Sequence, residues 1–375
     1  MIKRSIDLNK YLEKNKVLII YGARQVGKTT LVKNFLSNTN LKYSFYTGDD
    51  IQFAKDLSKC DLYTIKKLVG DIELLVIDEA QKIDNIGRAL KLIVDNIDNI
   101  YVLVTGSSSF DLANSTSEPL TGRKNLITLY PISLQELLYD TTQYNLSRRL
   151  GEFLVYGMYP NVVSLDSFKD KENRINEIRD SYLIKDILEF NKVKRSQLVV
   201  DLLRHLAFQV GSEVSTVELG RNLGIDNKTV KRYLDLLEKS FVIFSLSGFS
   251  RNLRKEISKM EKYYFYDNGI RNSLIKNFND LDTRNDVGQL WENFLMVERM
   301  KKNSYNKLSV NYYFWRTYDQ KEIDLIEERG GKLYGYEFKW NHKDVKEPKE
   351  WIEEYDSSEF KVIDRENFLD FVISQ

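Results

Sequence analysis

The chain has 375 residues, of which 42% are hydrophobic and 30% are charged, and this length allows two or three domains with a core in each. It holds 56 Lys and Arg against 55 Asp and Glu, so the overall charge predicts no partner and any basic surface must be local. A single cysteine excludes a disulfide framework and a cysteine-rich metal site. No apolar run has the length of a signal peptide or a membrane span, so we expect a cytoplasmic protein with no membrane partner.

The first predicted strand, Val17 to Ile20, leads into the complete phosphate-binding motif G-x-x-x-x-G-K-T. The β- and γ-phosphates of a nucleotide need several backbone N–H groups that point inward, and a tight loop that opens a helix provides them. We expect the lysine of the motif to neutralise phosphate oxygens and the threonine hydroxyl to bind Mg²⁺. The predicted cofactors are therefore ATP and Mg²⁺, and the predicted nucleotide-binding residues here are Gly22, Ala23, Arg24, Gln25, Val26, Gly27, Lys28, Thr29 and Thr30.

Two acids follow a later strand. After a predicted strand at 42–46, a polar stretch and a predicted helix at about 62–69, the apolar run Leu74 to Ile77 ends in Asp78 and Glu79. Such an unbroken apolar run is typical of a strand buried on both faces of a parallel sheet. At the carboxyl edge of that sheet, we expect Asp78 to hold Mg²⁺ through water and Glu79 to polarise the attacking water.

Two further positions are candidates for contact with the γ-phosphate. The predicted strand Tyr101 to Thr105 opens into a run of serines, where the hydroxyl of Ser107 or Ser108 would lie beside that phosphate, unless the segment is a plain turn. Arg123 precedes a fifth predicted strand at 126–129. It would reach a γ-phosphate either in its own chain or across the interface of a homo-oligomer as an arginine finger, and the alternative is a surface arginine in a turn.

These segments together resemble the prokaryotic AAA+ ATPases of the archaeal-type or extended group, which carry a C-terminal domain of uncharacterised role. The resemblance rests on the Arg-Gln interior of the loop, the DEAQ box, the TGSSS strand end, the LTGR loop and the LYPIS segment, and it extends over nearly the whole chain. It implies an α/β fold with a five-stranded parallel sheet, helices on both faces and a small helical lid. We expect the ATPase domain at residues 1–135 and the lid or linker at 136–210.

Residues 211–275 are predicted to form a winged helix-turn-helix. A short helix beginning at Thr216 breaks at Gly224, and a second helix runs to about Lys239. The alternating run Phe241 to Phe249 and the segment Lys262 to Tyr266 follow, and together they would form the wing hairpin. Residues 193–262 hold 13 Lys and Arg against 8 Asp and Glu. DNA is the predicted partner, and a role as a lid or protein contact is the alternative. The basic side chains expected to face the DNA major groove are Lys228, Lys231 and Arg232.

Residues 276–375 are predicted to form an α/β nuclease-like domain. Residues two apart in a strand share a face, so Glu337 and Lys339 point the same way, and Asp324 on a neighbouring strand is placed to join them. Two carboxylates and a lysine are what a metal-dependent phosphodiesterase needs. With Glu292 in the preceding helix, this arrangement resembles the PD-(D/E)xK nuclease superfamily, although Ile323 replaces the usual proline. The resemblance implies Glu292, Asp324 and Glu337 as metal ligands and Lys339 as a catalytic group.

The sequence therefore supports two hypotheses. In the first, a Mg²⁺-dependent AAA+ ATPase couples its nucleotide state to DNA binding through the winged helix and the C-terminal domain, with DNA cleavage left open. In the second, the chain is an ATP-dependent regulatory or scaffold protein whose nuclease-like domain is inactive and binds protein partners.

Overall fold

The computed structural model describes residues 2–107, 120–184, 196–250, 261–317, 321–342, 345–355 and 358–373. The chain divides into two compact units. The first consists of residues 6–130 with 239–241, and the second consists of residues 1–5, 131–238 and 242–375. In the described ranges, no helix is long and apolar enough to cross a membrane.

The first unit is an α/β structure built on a five-stranded sheet. Its strands are β1 (Val17–Tyr21), β2 (Tyr43–Thr47), β3 (Leu74–Asp78), β4 (Tyr101–Thr105) and β5 (Lys124–Thr128). All neighbours pair in parallel, in the order β2-β3-β4-β1-β5. β1 and β3 are buried along their whole length, as an apolar strand covered on both faces must be. The predicted α/β fold with a five-stranded parallel sheet is confirmed.

The helices of this unit are α1 (Lys28–Leu36), α2 (Ile51–Ser58), α3 (Leu62–Val69) and α4 (Ile86–Asn96). The sequence reading of 51–58 as a polar stretch was wrong, because Asp50 caps α2 and accepts hydrogen bonds from two of its first N–H groups. One apolar side of α2 is enough to hold it, since Phe53 and Leu57 join the core beneath the sheet.

The second unit begins with a helical region. Its helices are α5 (Leu134–Leu137), α6 (Gln143–Arg148), α7 (Leu150–Tyr156), α8 (Pro160–Val163), α9 (Phe168–Ile178), α10 (Ser196–Phe208), α11 (Thr216–Leu223), α12 (Asn227–Lys239), α13 (Asn268–Ile275), α14 (Val287–Tyr305), α15 (Lys349–Glu354) and α16 (Phe368–Val372). A capping box at Ser133 and Glu136 starts α5, and Gly224 ends α11 in the left-handed conformation.

A seven-stranded sheet completes the second unit. Its strands are β6 (Glu213–Val214), β7 (Ile243–Gly248), β8 (Glu261–Phe265), β9 (Asn311–Arg316), β10 (Glu322–Arg329), β11 (Lys332–Phe338) and β12 (Glu359–Ile363), in the order β12-β11-β10-β9-β7-β8-β6. β7 pairs with β9, where Ser247 lies opposite Tyr313. One sheet therefore runs through segments that the sequence reading assigned to separate domains, at 211–275 and 276–375. The boundaries of the four predicted domains stay a prediction.

Buried ion pairs fix the long helix α14 in this unit. Arg299 donates two hydrogen bonds of 2.8 Å to the two carboxylate oxygens of Glu327 on β10. Lys301 pairs with Glu298 at 2.7 Å, with both side chains 1% exposed. Each charge is buried together with an opposite charge, which removes most of the desolvation cost that either group would carry alone. The pair of Arg299 with Glu327 joins α14 to β10, whereas the pair of Lys301 with Glu298 lies within α14.

Candidate functional site

The predicted phosphate-binding loop connects β1 to α1, and its backbone requires glycine. Gly22 has φ +147, and a Cβ atom there would lie 2.1 Å from the carbonyl oxygen of Leu129. Gly27, which precedes α1, has φ +99. Residues with side chains rarely adopt these conformations. The loop conformation thus depends on both glycines of the motif.

Lys28 lies inside this loop. Its side-chain nitrogen donates to the carbonyl oxygens of Gly22 at 2.7 Å and Ala23 at 2.9 Å, and the residue is 5% exposed. Burial lowers the pKa of the Lys28 ammonium to about 8, although the nearby charges of Glu79 and Asp78 raise it in part. The lysine is therefore a desolvated cation at the N-terminus of α1, where the binding of an anion is favoured.

Thr29 and Asp78 meet at the carboxyl edge of the sheet. The Thr29 hydroxyl donates to Asp78 Oδ2 at 2.8 Å, and the other oxygen of Asp78 accepts a short hydrogen bond from Thr105. A hydroxyl and a carboxylate are oxygen ligands of the kind that Mg²⁺ prefers. The donor set formed by these two residues fits a magnesium ion.

Glu79 is held by both neighbouring strands. It adopts a left-handed backbone with φ 51. Its N–H donates to Thr105 Oγ1 at 3.2 Å, and the N–H of Gly48 donates to the carbonyl of Asp78 at 2.8 Å. A Cβ atom at Gly48 would lie 2.3 Å from the Glu79 carbonyl oxygen, so this approach requires glycine. Strain of this kind persists only where the surrounding structure enforces it, and it is common at functional sites.

The two candidates for γ-phosphate contact lie at different edges of the sheet. Ser107 follows β4 at the carboxyl edge, near Asp78 and Glu79, whereas Ser108 lies outside the described residues. Arg123 lies at the amino edge, since the N–H of Val17 at the start of β1 donates to its carbonyl.

Contact of Arg123 with a phosphate of its own chain stays a prediction that the fold disfavours, because the phosphate-binding loop lies beyond the opposite end of β1. The Arg123 side chain is 45% exposed and pairs with Asp95 at 2.6 Å. Action of Arg123 across an oligomer interface stays a prediction.

Sequence reasoning missed two residues of this edge. Thr105 is fully buried and contacts both predicted acids, through the side chain of Asp78 and the N–H of Glu79. A polar residue that ends an apolar strand was the available signal, the same one that identified Asp78. Gln81 donates from Nε2 to Glu79 Oε2 at 2.5 Å. The DEAQ box contains both residues, but the sequence analysis gave Gln81 no role and predicted no contact between them.

The C-terminal candidates gather around one end of β10 and β11. Lys339 pairs with Glu337 at 2.5 Å, and Asp324 Oδ2 accepts the N–H of Phe338 at 2.7 Å. Burial raises the pKa of Asp324 well above its ordinary value, and the charges of Glu292 and Glu337 raise it further. The four predicted side chains therefore act on one another electrostatically, and we call Glu292, Asp324, Glu337 and Lys339 the acidic cluster.

Two side chains of β8 enter the acidic cluster. Lys262, whose side chain is 2% exposed, lies 4.0 Å from Glu292 Oε1 and forms a short ion pair with Glu322. Tyr264 donates its hydroxyl to Glu292 Oε1 at 2.7 Å. Both residues come from the segment predicted to be a wing, so they were not expected at this site.

The magnesium assignment in the acidic cluster stays a prediction. Within the described ranges, no three His, Cys, Asp or Glu side chains are grouped closely enough to hold a metal ion. Glu337 Oε2 is buried and has no hydrogen-bond partner among the described residues. One buried carboxylate oxygen of the cluster is therefore not satisfied by a donor among the described residues.

α11 and α12 place the basic side chains of 211–275 at the surface. Asp226 caps α12 by accepting the N–H of Thr229 at 2.9 Å. The buried side of α12 includes Val230, Leu234 and Leu237, and the exposed side carries the three predicted basic residues, Lys228, Lys231 and Arg232.

Three family models match the chain. Residues 14–138 match an AAA domain, residues 147–281 match a domain of unknown function (DUF8612), and residues 287–369 match a second domain of unknown function (DUF4143). Together with the sheet order and the phosphate-binding loop, the first match supports nucleotide binding and hydrolysis of the general AAA type.

Similar proteins occur in distant prokaryotes and are described as uncharacterized. One from Mycobacterium tuberculosis is 27% identical over 336 residues, covering 88% of this chain and 72% of that protein. One from Haemophilus influenzae is 24% identical over 359 residues, covering 89% and 86%. One from Methanocaldococcus jannaschii is 24% identical over 346 residues, covering 87% and 75%.

Solved structures give weaker likenesses. A DNA replication initiation factor is 17% identical, with 60% of this chain and 82% of that chain covered and a TM-score of 0.23. A variant of Thermotoga maritima RuvB is 15% identical, with 64% and 83% covered and a TM-score of 0.30. Scores this low carry no inference. Residues 14–138 thus match the AAA domain family, whereas the two later segments match families of unknown function.

Proposed function

We propose that the protein is a Mg²⁺-dependent ATPase that couples its nucleotide state to DNA binding. The observation that carries the ATPase part is the 2.8 Å contact between Thr29 and Asp78 at the carboxyl edge of the sheet, beside Lys28 in the loop. These residues come from separate motifs of the sequence, and a nucleotide with its metal needs them at one point.

Each side chain has a role in this proposal. Lys28 and the loop N–H groups bind phosphate oxygens, and Thr29 and Asp78 hold the metal. Mg²⁺, when bound, neutralises charge on the phosphates. Glu79 orients the attacking water and accepts its proton, and Ser107 lies at the edge where the γ-phosphate would be.

A binding measurement tests the nucleotide assignment. We expect Lys28→Ala to lose binding of a fluorescent ATP analogue, because the loop loses the buried ammonium that would neutralise phosphate oxygens. Lys33→Ala, which removes an exposed lysine from the same helix, is the matched control and should bind like the parent. Equal affinity in Lys28→Ala and the parent, with both folded by circular dichroism, would refute the assignment.

The DNA part of the proposal is supported by α11, α12 and the strands β7 and β8. Two helices joined at a left-handed glycine and followed by a hairpin are the arrangement of a winged helix-turn-helix. In proteins of this shape the second helix enters the major groove, and here its exposed face carries Lys228, Lys231 and Arg232.

A charge reversal tests DNA binding. The double variant Lys231→Glu with Arg232→Glu should weaken duplex DNA binding in fluorescence anisotropy and flatten its dependence on salt, because fewer phosphate contacts release fewer counterions. Lys66→Glu with Lys67→Glu makes the same charge change on the exposed face of α3 and should not alter binding. Equal loss in both double variants would point to net charge and not to α12.

A second candidate function rests on Lys262. Its buried ammonium lies 4.0 Å from Glu292 of the acidic cluster and pairs with Glu322 beside the cluster. An internal cation of this kind balances the acids without a metal, which favours a regulatory or scaffold protein whose C-terminal domain binds and does not cut. In the cleaving alternative, Glu292, Asp324 and Glu337 would hold the metal and Lys339 would stabilise charge on the phosphate.

A cleavage assay separates these alternatives. Single-stranded, duplex and branched DNA would be incubated with the protein in Mg²⁺ or Mn²⁺, with and without ATP, beside Asp324→Ala. Cleavage that is lost in the variant would establish a nuclease. No cleavage of any substrate, with ATP hydrolysis intact, would support the scaffold function.

A further inference from the structure

We propose that Gln81 is a positioning residue that holds the carboxylate of Glu79 and links it to Ser107. This inference rests on the proposed ATPase function and gives a role to the last residue of the DEAQ box, for which the sequence analysis assigned none. Gln81 lies in the short 3-10 turn Ala80–Lys82 directly after β3 and is 5% exposed. Its amide has two partners, since Nε2 donates to Glu79 Oε2 at 2.5 Å and Oε1 accepts the N–H of Ser107 at 3.3 Å.

The local backbone explains why Glu79 needs this contact. Glu79 lies outside β3 in a left-handed conformation, so the strand itself does not direct its side chain. Its backbone is fixed by Thr105 and by the close approach of Gly48, but these contacts leave the carboxylate free to rotate about its χ angles. The hydrogen bond from Gln81 is the contact in the described structure that fixes a carboxylate oxygen of Glu79.

The chemistry of an amide suits this position. Glutamine supplies a donor and an acceptor on one neutral group, so it can bind a carboxylate and a backbone N–H together. A carboxylate in its place would repel the carboxylate of Glu79. An ammonium has no acceptor atom, so it could not accept the hydrogen bond of the Ser107 N–H. The amide therefore orients the proton acceptor without adding a charge beside it.

The link to Ser107 gives the contact a second consequence. Ser107 follows β4 at the edge where the γ-phosphate is proposed to lie. Gln81 thus joins the group that would contact the γ-phosphate to the group that would orient the water. A shift of the end of β4 on nucleotide binding would be transmitted to Glu79 through a single buried side chain.

The test is Gln81→Met, which keeps the length and volume of the side chain and removes both hydrogen bonds. We expect kcat for ATP hydrolysis to fall at least about tenfold, because a misplaced general base loses part of its rate enhancement of about 10²–10⁴. The Kd for ATP should stay unchanged. Gln52→Met, at an exposed position on α2, is the matched control and should keep the parent kcat. A parallel loss of ATP affinity and kcat in Gln81→Met would overturn the inference, because it would indicate general damage to the site.

A double variant shows whether Gln81 acts through Glu79. In a Glu79→Gln background, measured in single turnovers with radiolabelled ATP, Gln81→Met should cause no further loss, because two residues that act as a unit are not additive. A further loss of the same size, with Glu79→Gln itself impaired, would overturn the inference alone. Full hydrolysis by Glu79→Gln would overturn the proposed role of Glu79 and the inference together.

Discussion

The buried carboxyl of Asp267 makes the stability of the second unit depend on pH in a defined direction. Asp267 caps α13 and accepts the N–H of Ile270 at 3.1 Å and the N–H of Met158 at 2.6 Å. Burial raises the pKa of Asp267 from 3.8 to about 6, although these hydrogen bonds and Lys301 lower it in part. The folded protein therefore binds this proton more tightly than the unfolded chain does.

The size of the effect follows from the shift. The stabilisation is fully present below the ordinary pKa of 3.8 and is lost as the pH rises through about 6. At 1.36 kcal/mol per unit of pKa, Asp267 should lose about 3 kcal/mol of its contribution to the free energy of unfolding over this range. The asparagine in Asp267→Asn does not titrate, so the substitution changes the free energy of unfolding by an amount that does not depend on this group's protonation.

Tryptophan fluorescence in urea provides the assay, because all four tryptophans belong to the second unit; they are Trp291, Trp315, Trp340 and Trp351. The difference in unfolding free energy between the parent and Asp267→Asn should fall by about 2.4 kcal/mol between pH 4 and pH 7, which is most of the full effect. Asp370→Asn, on the exposed side of α16, accounts for the general effect of removing one carboxylate. A difference that is constant with pH, or that grows as the pH rises, would refute the reasoning.

Three further predictions follow from the two sites. Thr105→Val should lower kcat for ATP hydrolysis about tenfold to a hundredfold without weakening ATP binding, because a hydrogen bond to a charged group contributes about 1.5–3 kcal/mol; an unchanged kcat would contradict this. Gly22→Ala should abolish binding of a fluorescent ATP analogue, because the new Cβ would lie 2.1 Å from a carbonyl oxygen, whereas Gly70→Ala, also at positive φ but with open space, should bind normally. Lys262→Met should destabilise the second unit by about 3 kcal/mol in urea, because it leaves buried acids without their cation. The exposed control Lys332→Met should not, and equal effects would contradict the role given to the buried ammonium.

The candidate nucleotide site at the carboxyl edge of the five-stranded sheet could be predicted from the sequence, because its geometry follows from the order of strands and loops. A strand that ends in the loop and a strand that ends in Asp78 must bring those ends together if the sheet is parallel. The contact between Thr29 and Asp78 is such a case. The same rule places Arg123 at the amino edge, because it precedes a strand of the parallel sheet, and the sequence interpretation did not apply the rule there.

Side-chain contacts across short turns could not be predicted from the sequence. Gln81 reaches back to Glu79 only because the backbone turns left-handed at Glu79, and no residue pattern marks that turn. A glycine or asparagine would have signalled it, whereas glutamate is rare in this conformation.

The surroundings of the acidic cluster could not be predicted, because the sequence does not show which strands pair with one another. The sequence pattern predicted a hairpin from the segments of β7 and β8, but the pairing of β7 with β9 joins segments far apart in the chain. That pairing places Lys262 and Tyr264 of β8 beside Glu292. Local patterns specify which face of a strand is buried, and they do not specify which distant strand lies beside it.

The most direct test of the central claim is a paired measurement of ATP binding and ATP hydrolysis by the parent protein and Glu79→Gln in the presence of Mg²⁺. We expect the variant to bind ATP as the parent does and to hydrolyse it at least about a hundredfold more slowly, because it has lost the proton acceptor for the attacking water. Hydrolysis at the parent rate by Glu79→Gln, or a parent protein that binds no ATP, would contradict the assignment of this edge as an ATPase site.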